Sequence, residues 1–191
     1  MTDPTFTLFE TAFGRAAIAW GPAGIRRTLL PEAEEGATRR LLARLLPEAV
    51  EAEPDGEMAA VITAIRSLLG GGRDDLSAVR LDMEGIEPFP AAVYAELRQV
   101  GPGETLTYGA LADRVGATGQ ARAIGAILGR NPSPIIVPCH RVLAAGGKAG
   151  GFSAPGGVAT KLLMLTAEQA RTSEAPGLFD NLALPLATRR G

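Results

Sequence analysis

The stretch from Thr107 to Gly129 reads TYGALADRVGATGQARAIGAILG, and its pattern decides more about the fold than any other in the chain. Thr107 is placed to cap a helix from Tyr108 to Val115, because its hydroxyl can accept a hydrogen bond from a free first-turn amide. Gly116 stands where a helix C-terminus favours a left-handed residue. After the short turn Ala117-Thr118-Gly119, a second helix runs from Gln120 to Gly129. Two short helices joined by a tight glycine-containing turn predict a helix-turn-helix, a unit that serves nucleic-acid docking or simple hairpin packing. At about 100° per residue, Ile124, Ile127 and Leu128 share the buried face, leaving Arg122, Gly125, Ala126 and Gly129 on the other. Each interior glycine costs about 1 kcal/mol relative to alanine, so two of them need a reason. Close packing on a neighbouring helix would supply one, and fit into a narrow groove by shape another. A helix that reads base edges in a major groove carries Asn, Gln, Arg or Lys, and between 120 and 129 only Gln120 and Arg122 qualify.

Charge supports a division of the chain around this segment. The 191 residues sum to a net charge of −2, which argues against a protein that coats nucleic acid through a uniformly basic surface. Residues 1–97 hold nine Arg against sixteen Asp and Glu, whereas residues 98–161 hold seven basic residues against Glu104 and Asp113 alone. An acidic scaffold joined to an anion-binding module produces such an asymmetry. The apolar fraction of 46% is ample for a core and excludes a disordered polyelectrolyte. One cysteine excludes a disulfide framework, and one Cys with one His cannot form a structural zinc site, so no metal and no cofactor are expected.

The leading half reads as strands followed by helices. Thr5 to Glu10, Arg15 to Trp20 and Gly24 to Leu29 are punctuated by glycines and predict an antiparallel meander, with Trp20 in the core. Helical spacing follows over about 33–46 and 57–69, the second stopped by Gly70-Gly71-Gly72, while the acidic run Glu48 to Glu57 reads as solvated loop. Pro88 to Pro90 marks a linker or helix start, with Val93, Leu97 and Val100 at helical spacing beyond it. Residues 171–191 read as a tail of uncertain order. Met1-Thr2-Asp3-Pro4 lacks the features of a signal peptide, and no apolar run of about 18 residues occurs, so a cytoplasmic protein without a membrane partner is expected.

The only cysteine and the only histidine are adjacent, in Pro134-Ile-Ile-Val-Pro138-Cys139-His140-Arg141-Val142. This reads as a short apolar strand bracketed by prolines that presents the thiol on a rigid segment. A lone cysteine can be an inert buried hydrophobe. A neighbouring imidazole or guanidinium that lowers the thiol pKa would instead make it a nucleophile.

Pro138 to Val142 resembles the active-site motif of the O6-alkylguanine-DNA alkyltransferases. The likeness extends through Thr107-Tyr108, Ala121 to Gly125, Asn131-Pro132, the Ser153 loop and Lys161 to Glu168, and so covers about residues 86–170. The resemblance implies an α+β chain: a small ribonuclease H-like α/β scaffold over 1–85, then a winged helix-turn-helix-like DNA-binding and alkyl-acceptor domain over 86–170. It implies direct-reversal DNA repair by a single-turnover methyltransferase. Cys139 would accept the alkyl group of O6-alkylguanine, and of O4-alkylthymine, irreversibly. His140, oriented by Glu168, would deprotonate the thiol through a water, and Tyr108 would assist rotation of the flipped nucleotide and meet guanine N3. Arg122 would fill the vacated stack, with Gln120, Ala121, Ala123, Gly125 and the hinge Asn131 completing the DNA-contacting set. Pro138, Val142, Phe152 and Ser153 would line the base pocket. Duplex DNA carrying the lesion is the expected partner of a monomer. Pro90, Phe152 and a long loop at Gly151 to Gly157 depart from the common pattern and bear on which adducts are accepted. Two other readings are a lesion-binding relative that transfers nothing and a Cys-His acyl-transfer or redox protein; the first lacks an acceptor cysteine, and the second needs an oxyanion site or a second thiol.

Overall fold

A computed structural model describes residues 3–34 and 36–170. The tail expected over 171–191 lies outside the described residues. The fold is mixed α+β. Strands β1 (Thr5–Thr11), β2 (Gly14–Gly21), β3 (Gly24–Leu29) and β4 (Val50–Glu51) form one sheet in the order β3-β2-β1-β4, antiparallel except for the β1–β4 pair. The meander is the one the glycine punctuation predicts. Its central strand β2 buries Ala16 to Ala19 completely. With side chains alternating across the sheet, Ala16 and Ile18 face α2 (Gly56–Leu69), while Ala17 and Ala19 face α1 (Ala37–Leu45). Small residues on both faces let a helix pack on each.

Three local expectations change. Helix α1 starts at Ala37, not near 33, because Gly36 takes a left-handed φ of 76° just before it. The acidic run is not all loop: Val50–Glu51 pairs in parallel with Thr5 and Phe6, Glu51 binds the Arg39 guanidinium, and Asp55 caps α2 by accepting from Met58 N at 2.8 Å. Trp20 is only partly buried, at the rim of the core that it was expected to fill.

The second half consists of α3 (Pro88–Leu97), β5 (Leu106–Thr107), α4 (Tyr108–Arg114), α5 (Ala121–Leu128), a 3-10 turn at Cys139–Arg141, β6 (Val142–Leu143) and α6 (Gly157–Ala167). Pro88 occupies the first turn of α3, where a missing amide costs nothing. Thr107 caps α4 by accepting from Ala110 N at 3.1 Å, and Gly116 follows the helix with φ 72°. Helices α4 and α5 close over Val93, Leu97, Leu111, Ile124 and Leu128, with Ile127 packed partly buried at the margin of that core. Tyr94 Oη donates to Ile127 O at 2.9 Å and ties α3 to α5.

The apolar run before Cys139 is a tight turn, not the expected strand. Pro134 and Val137 form an isolated bridge, Val137 N donates to Ser133 O at 2.8 Å, and Ile135 adopts φ 77°. A β-branched residue takes a left-handed φ only where its surroundings force it. Here Ile135 and Ile136 are buried in the same apolar cluster as Ile18, Ile25 and Ile65 of the leading half. Thr28 on β3 adds two bonds to this turn, from its N to Pro132 O at 3.1 Å and from its Oγ1 to Pro134 O at 2.5 Å. The sheet edge therefore holds the turn that carries the cysteine. Among the described residues no helix is long and apolar enough to cross a membrane.

Candidate active site

A cavity of about 770 Å³ lies between α4, α5 and the loop after β6. Tyr108, at the first position of α4, and Arg122, Ala121 and Gly125 of α5 line one side of it; Cys139, Gly150, Phe152 and Ser153 line the other. Gly150 is required where it stands: its φ is 69°, and a Cβ there would come within 3.2 Å of the Tyr108 ring. Tyr108 Oη in turn donates to Gly151 O at 3.3 Å, and Ser153 Oγ to Gly129 O at 3.2 Å, so the loop is tied to both helices.

Among the described residues, packing does not explain the bare face of α5. A Cβ on Gly125 would meet the Tyr108 ring at 3.8 Å and one on Gly129 would meet only carbonyls of its own helix at 3.4 and 3.5 Å, all ordinary contacts. Gln120, Arg122, Ala126 and Gly129 are exposed, with Ala121, Ala123 and Gly125 half-buried.

Cys139 is 8% exposed at the cavity wall. Burial pushes its thiol up, opposed by a hydrogen bond from Asn131 Nδ2 to Sγ at 3.3 Å and by the nearby Lys161 charge. Asn131 also donates to Val137 O at 2.8 Å and accepts from Ser133 N at 2.9 Å, which fixes it between the end of α5 and the cysteine turn. Behind the thiol lies a buried polar set. His140 is fully buried, with Nε2 2.8 Å from Glu168 Oε1. Arg141 Nε and Nη2 donate to Glu168 Oε2 and Oε1 at 2.9 and 2.8 Å, and Nη1 to Val100 O at 2.5 Å. Burial alone would raise the Glu168 carboxyl, but the hydrogen bonds of His140 and Arg141, with the Arg141 charge, outweigh it and hold it at about 2. Desolvation lowers the His140 pKa against the pull of Glu168, so the imidazole is neutral at pH 7. An ionised Glu168 requires Nε2 to carry the hydrogen. That leaves His140 Nδ1, buried and without a partner among the described residues, as the basic nitrogen.

Lys161 is the largest departure from what a side chain's type predicts. It is fully buried on α6, with Nζ donating to Val142 O at 2.6 Å and standing 5.7 Å from the Tyr108 ring centroid. Desolvation lowers its pKa to about 8 despite the opposing effect of Cys139. The sequence offers the Arg141 guanidinium only as a neighbour that could lower the thiol pKa and assigns Lys161 no role; the burial of both is unexpected for long basic side chains, which are normally solvated. Of the expected pocket residues, Phe152 and Ser153 line the cavity. Val142 and Pro138 are buried outside its lining, the Val142 carbonyl being occupied by Lys161.

Comparison with known proteins identifies the family. The family model described as 6-O-methylguanine DNA methyltransferase, DNA binding domain, matches residues 88–170. The methylated-DNA–protein-cysteine methyltransferase of Mycobacterium tuberculosis is 38% identical over 128 residues, covering 66% of this chain and 75% of that one. The DNA base-flipping protein of Thermus thermophilus is 38% identical over 126 residues, covering 65% and 83%. The crystal structure of Mycobacterium tuberculosis OGT in complex with DNA superposes with a TM-score of 0.67 at 28% identity, covering 86% and 92%. On the length and identity of these matches, the chain belongs to the methylated-DNA–protein-cysteine methyltransferase family.

Proposed function

We propose that this protein repairs alkylated duplex DNA by transferring the alkyl group from guanine O6, and from thymine O4, to Cys139, once per molecule. The observation that carries the reading is the position of Cys139: its thiol borders a cavity open between Tyr108 and Arg122 and is backed by the buried His140–Glu168–Arg141 set. A base atom inside a duplex is out of reach of any side chain, so the damaged nucleotide is extruded at a cost of a few kcal/mol. Arg122, the long side chain on the bare face of α5, enters the gap and offsets the lost stacking, while Gln120, Ala121, Ala123 and Gly125 fit the degenerate minor groove by shape. Asn131 holds this helix to the cysteine turn.

In the chemical step His140 Nδ1 takes the thiol proton through a water, and ionised Glu168 stabilises the resulting imidazolium. The thiolate attacks the alkyl carbon, the carbon–O6 bond breaks with its electron pair, and the guanine takes up a proton. Tyr108 remains a phenol, because burial raises its pKa, and can donate to N3 of the departing base. Ser153 and Phe152 hold the base, with Pro138 and Val142 supporting that wall from behind. We assign residues 1–85 to a ribonuclease H-like scaffold and 86–170 to a winged helix-turn-helix-like domain, in a cytoplasmic monomer.

Intact mass spectrometry after incubation with a duplex containing O6-methylguanine tests the reading. One added methyl on Cys139, in at most one equivalent, with Cys139→Ala inert, is the expected result. Turnover beyond one equivalent, or tight binding without a mass change as in a lesion-binding relative, would overturn it.

A further inference from the structure

Arg26 and Arg27 lie side by side on β3, yet among the described residues only Arg26 is ion-paired, with Glu48 at 3.6 Å and Asp82 at 3.4 Å. The Arg27 side chain forms no ion pair or hydrogen bond among the described residues, and its Nε is buried without a partner. Desolvation and the neighbouring Arg26 charge both lower its pKa. Beside it lies a second cavity of about 160 Å³, bounded by Arg27 and Leu41 of the leading half and by Asn131, Pro134, Cys139 and Pro155. Cys139 lines both this cavity and the larger one described above.

Displacement at an alkyl carbon requires the sulfur, the carbon and guanine O6 to lie in line. With the base in the larger cavity, any part of the substituent beyond the reacting carbon must turn aside beside the sulfur. The smaller cavity is the space available there. It exceeds several-fold the volume of about 30 Å³ taken by one water, which admits a small substituent.

We propose that this second cavity is the subsite for the alkyl substituent, and that Arg27 extends the accepted adducts to those ending in a carboxylate, such as a carboxymethyl group on guanine O6. The inference rests on the alkyl-transfer reading above and specifies its substrate class. The bonds are those of methyl transfer: the thiolate sulfur bonds to the methylene carbon as the carbon–O6 bond breaks, the electron pair leaves on guanine, and guanine takes the proton that the thiol gave up. The carboxylate is unchanged and is held by the guanidinium.

The test compares transfer rates, read as adducts on intact protein, for duplexes carrying O6-carboxymethylguanine, O6-propylguanine and O6-methylguanine. Arg27→Met and Arg27→Gln should each lower the ratio of carboxymethyl to propyl rate about tenfold or more, the scale of a lost charge-assisted hydrogen bond, while Arg27→Lys keeps most of it. The same fall is expected with the free modified bases, which carry no phosphate. An unchanged ratio overturns the inference, as does a fall seen with duplex alone, which would place Arg27 on the DNA backbone. Failure of the wild-type protein to accept a methyl group would overturn the parent reading together with this one; methyl transfer without a charge-selective loss overturns this one alone.

Discussion

Arg141 grips Glu168 with two parallel hydrogen bonds, at 2.9 and 2.8 Å, in a site where both side chains are almost wholly buried. This fork geometry keeps the carboxylate ionised in a medium that would otherwise protonate it. Its effect reaches the neighbouring residue: an anionic Glu168 dictates that His140 carries hydrogen on Nε2 and leaves Nδ1 free to act as a base. Arg141 thus positions the histidine without touching it.

Replacing Glu168 by Gln should lower stability by about 3–5 kcal/mol at pH 7 in denaturant titration, because it leaves a buried guanidinium unpaired. Glu168 is held at about 2, well below an unfolded carboxyl. Its contribution is therefore complete above about pH 4.5 and is lost as pH falls toward 2. The gap between wild type and Glu168→Gln should narrow over that window. His140 has the same sign, since its folded pKa is depressed: wild-type stability should begin to decline as pH drops below about 6.5, where only the unfolded imidazole takes up a proton.

Lys161→Met should slow the reaction of Cys139 with iodoacetamide at pH 7 by about tenfold, because the nearby cation favours the thiolate. Lys161 titrates at about 8. Above that pH the wild-type residue loses its own charge, so the two rate profiles should converge. A constant ratio across pH 7 to 10 would mean that Lys161 acts through packing alone.

Thr28→Val removes the donor to Pro134 O and leaves that carbonyl unsatisfied. The expected loss is about 1–3 kcal/mol, with slower methyl transfer as the cysteine turn loosens. Thr28→Ser retains the hydroxyl and should recover most of both, measured by denaturation and single-turnover kinetics.

Arg122→Ala should slow methyl transfer from duplex DNA by about tenfold or more, the scale of a few kcal/mol of unstacking, and slow the reaction with free O6-benzylguanine far less. Equal slowing of the two would remove Arg122 from the extrusion step.

Local chemistry made a large part of this legible in the sequence. Glycine punctuation marked β1 to β3, the Thr107 hydroxyl marked the start of α4, and the adjacency of Cys139 and His140 marked the site. What stayed hidden depends on residues distant along the chain. Nothing near Val50 indicates that it pairs with Thr5, since a two-residue strand has no periodicity to display. Pro134 to Pro138 has the composition of a strand, and only burial of Ile135 and Ile136 against another part of the chain bends it into a turn. The burial of Lys161 and Arg141 was likewise invisible, because a basic side chain advertises solvent until its partners are in place.

The bond between Thr28 and Pro134 spans 106 positions of the chain. During synthesis the leading sheet must therefore emerge long before the segment that completes its β3 edge, and contacts of such separation are slow to close. An open edge is a template for pairing with other chains, and nature blunts it with charge. Arg26 and Arg27 stand on that edge. Arg27, which borders the acceptor's smaller cavity in the finished protein, and its neighbour Arg26 are thus placed to guard the nascent sheet against aggregation while the remainder of the chain is made.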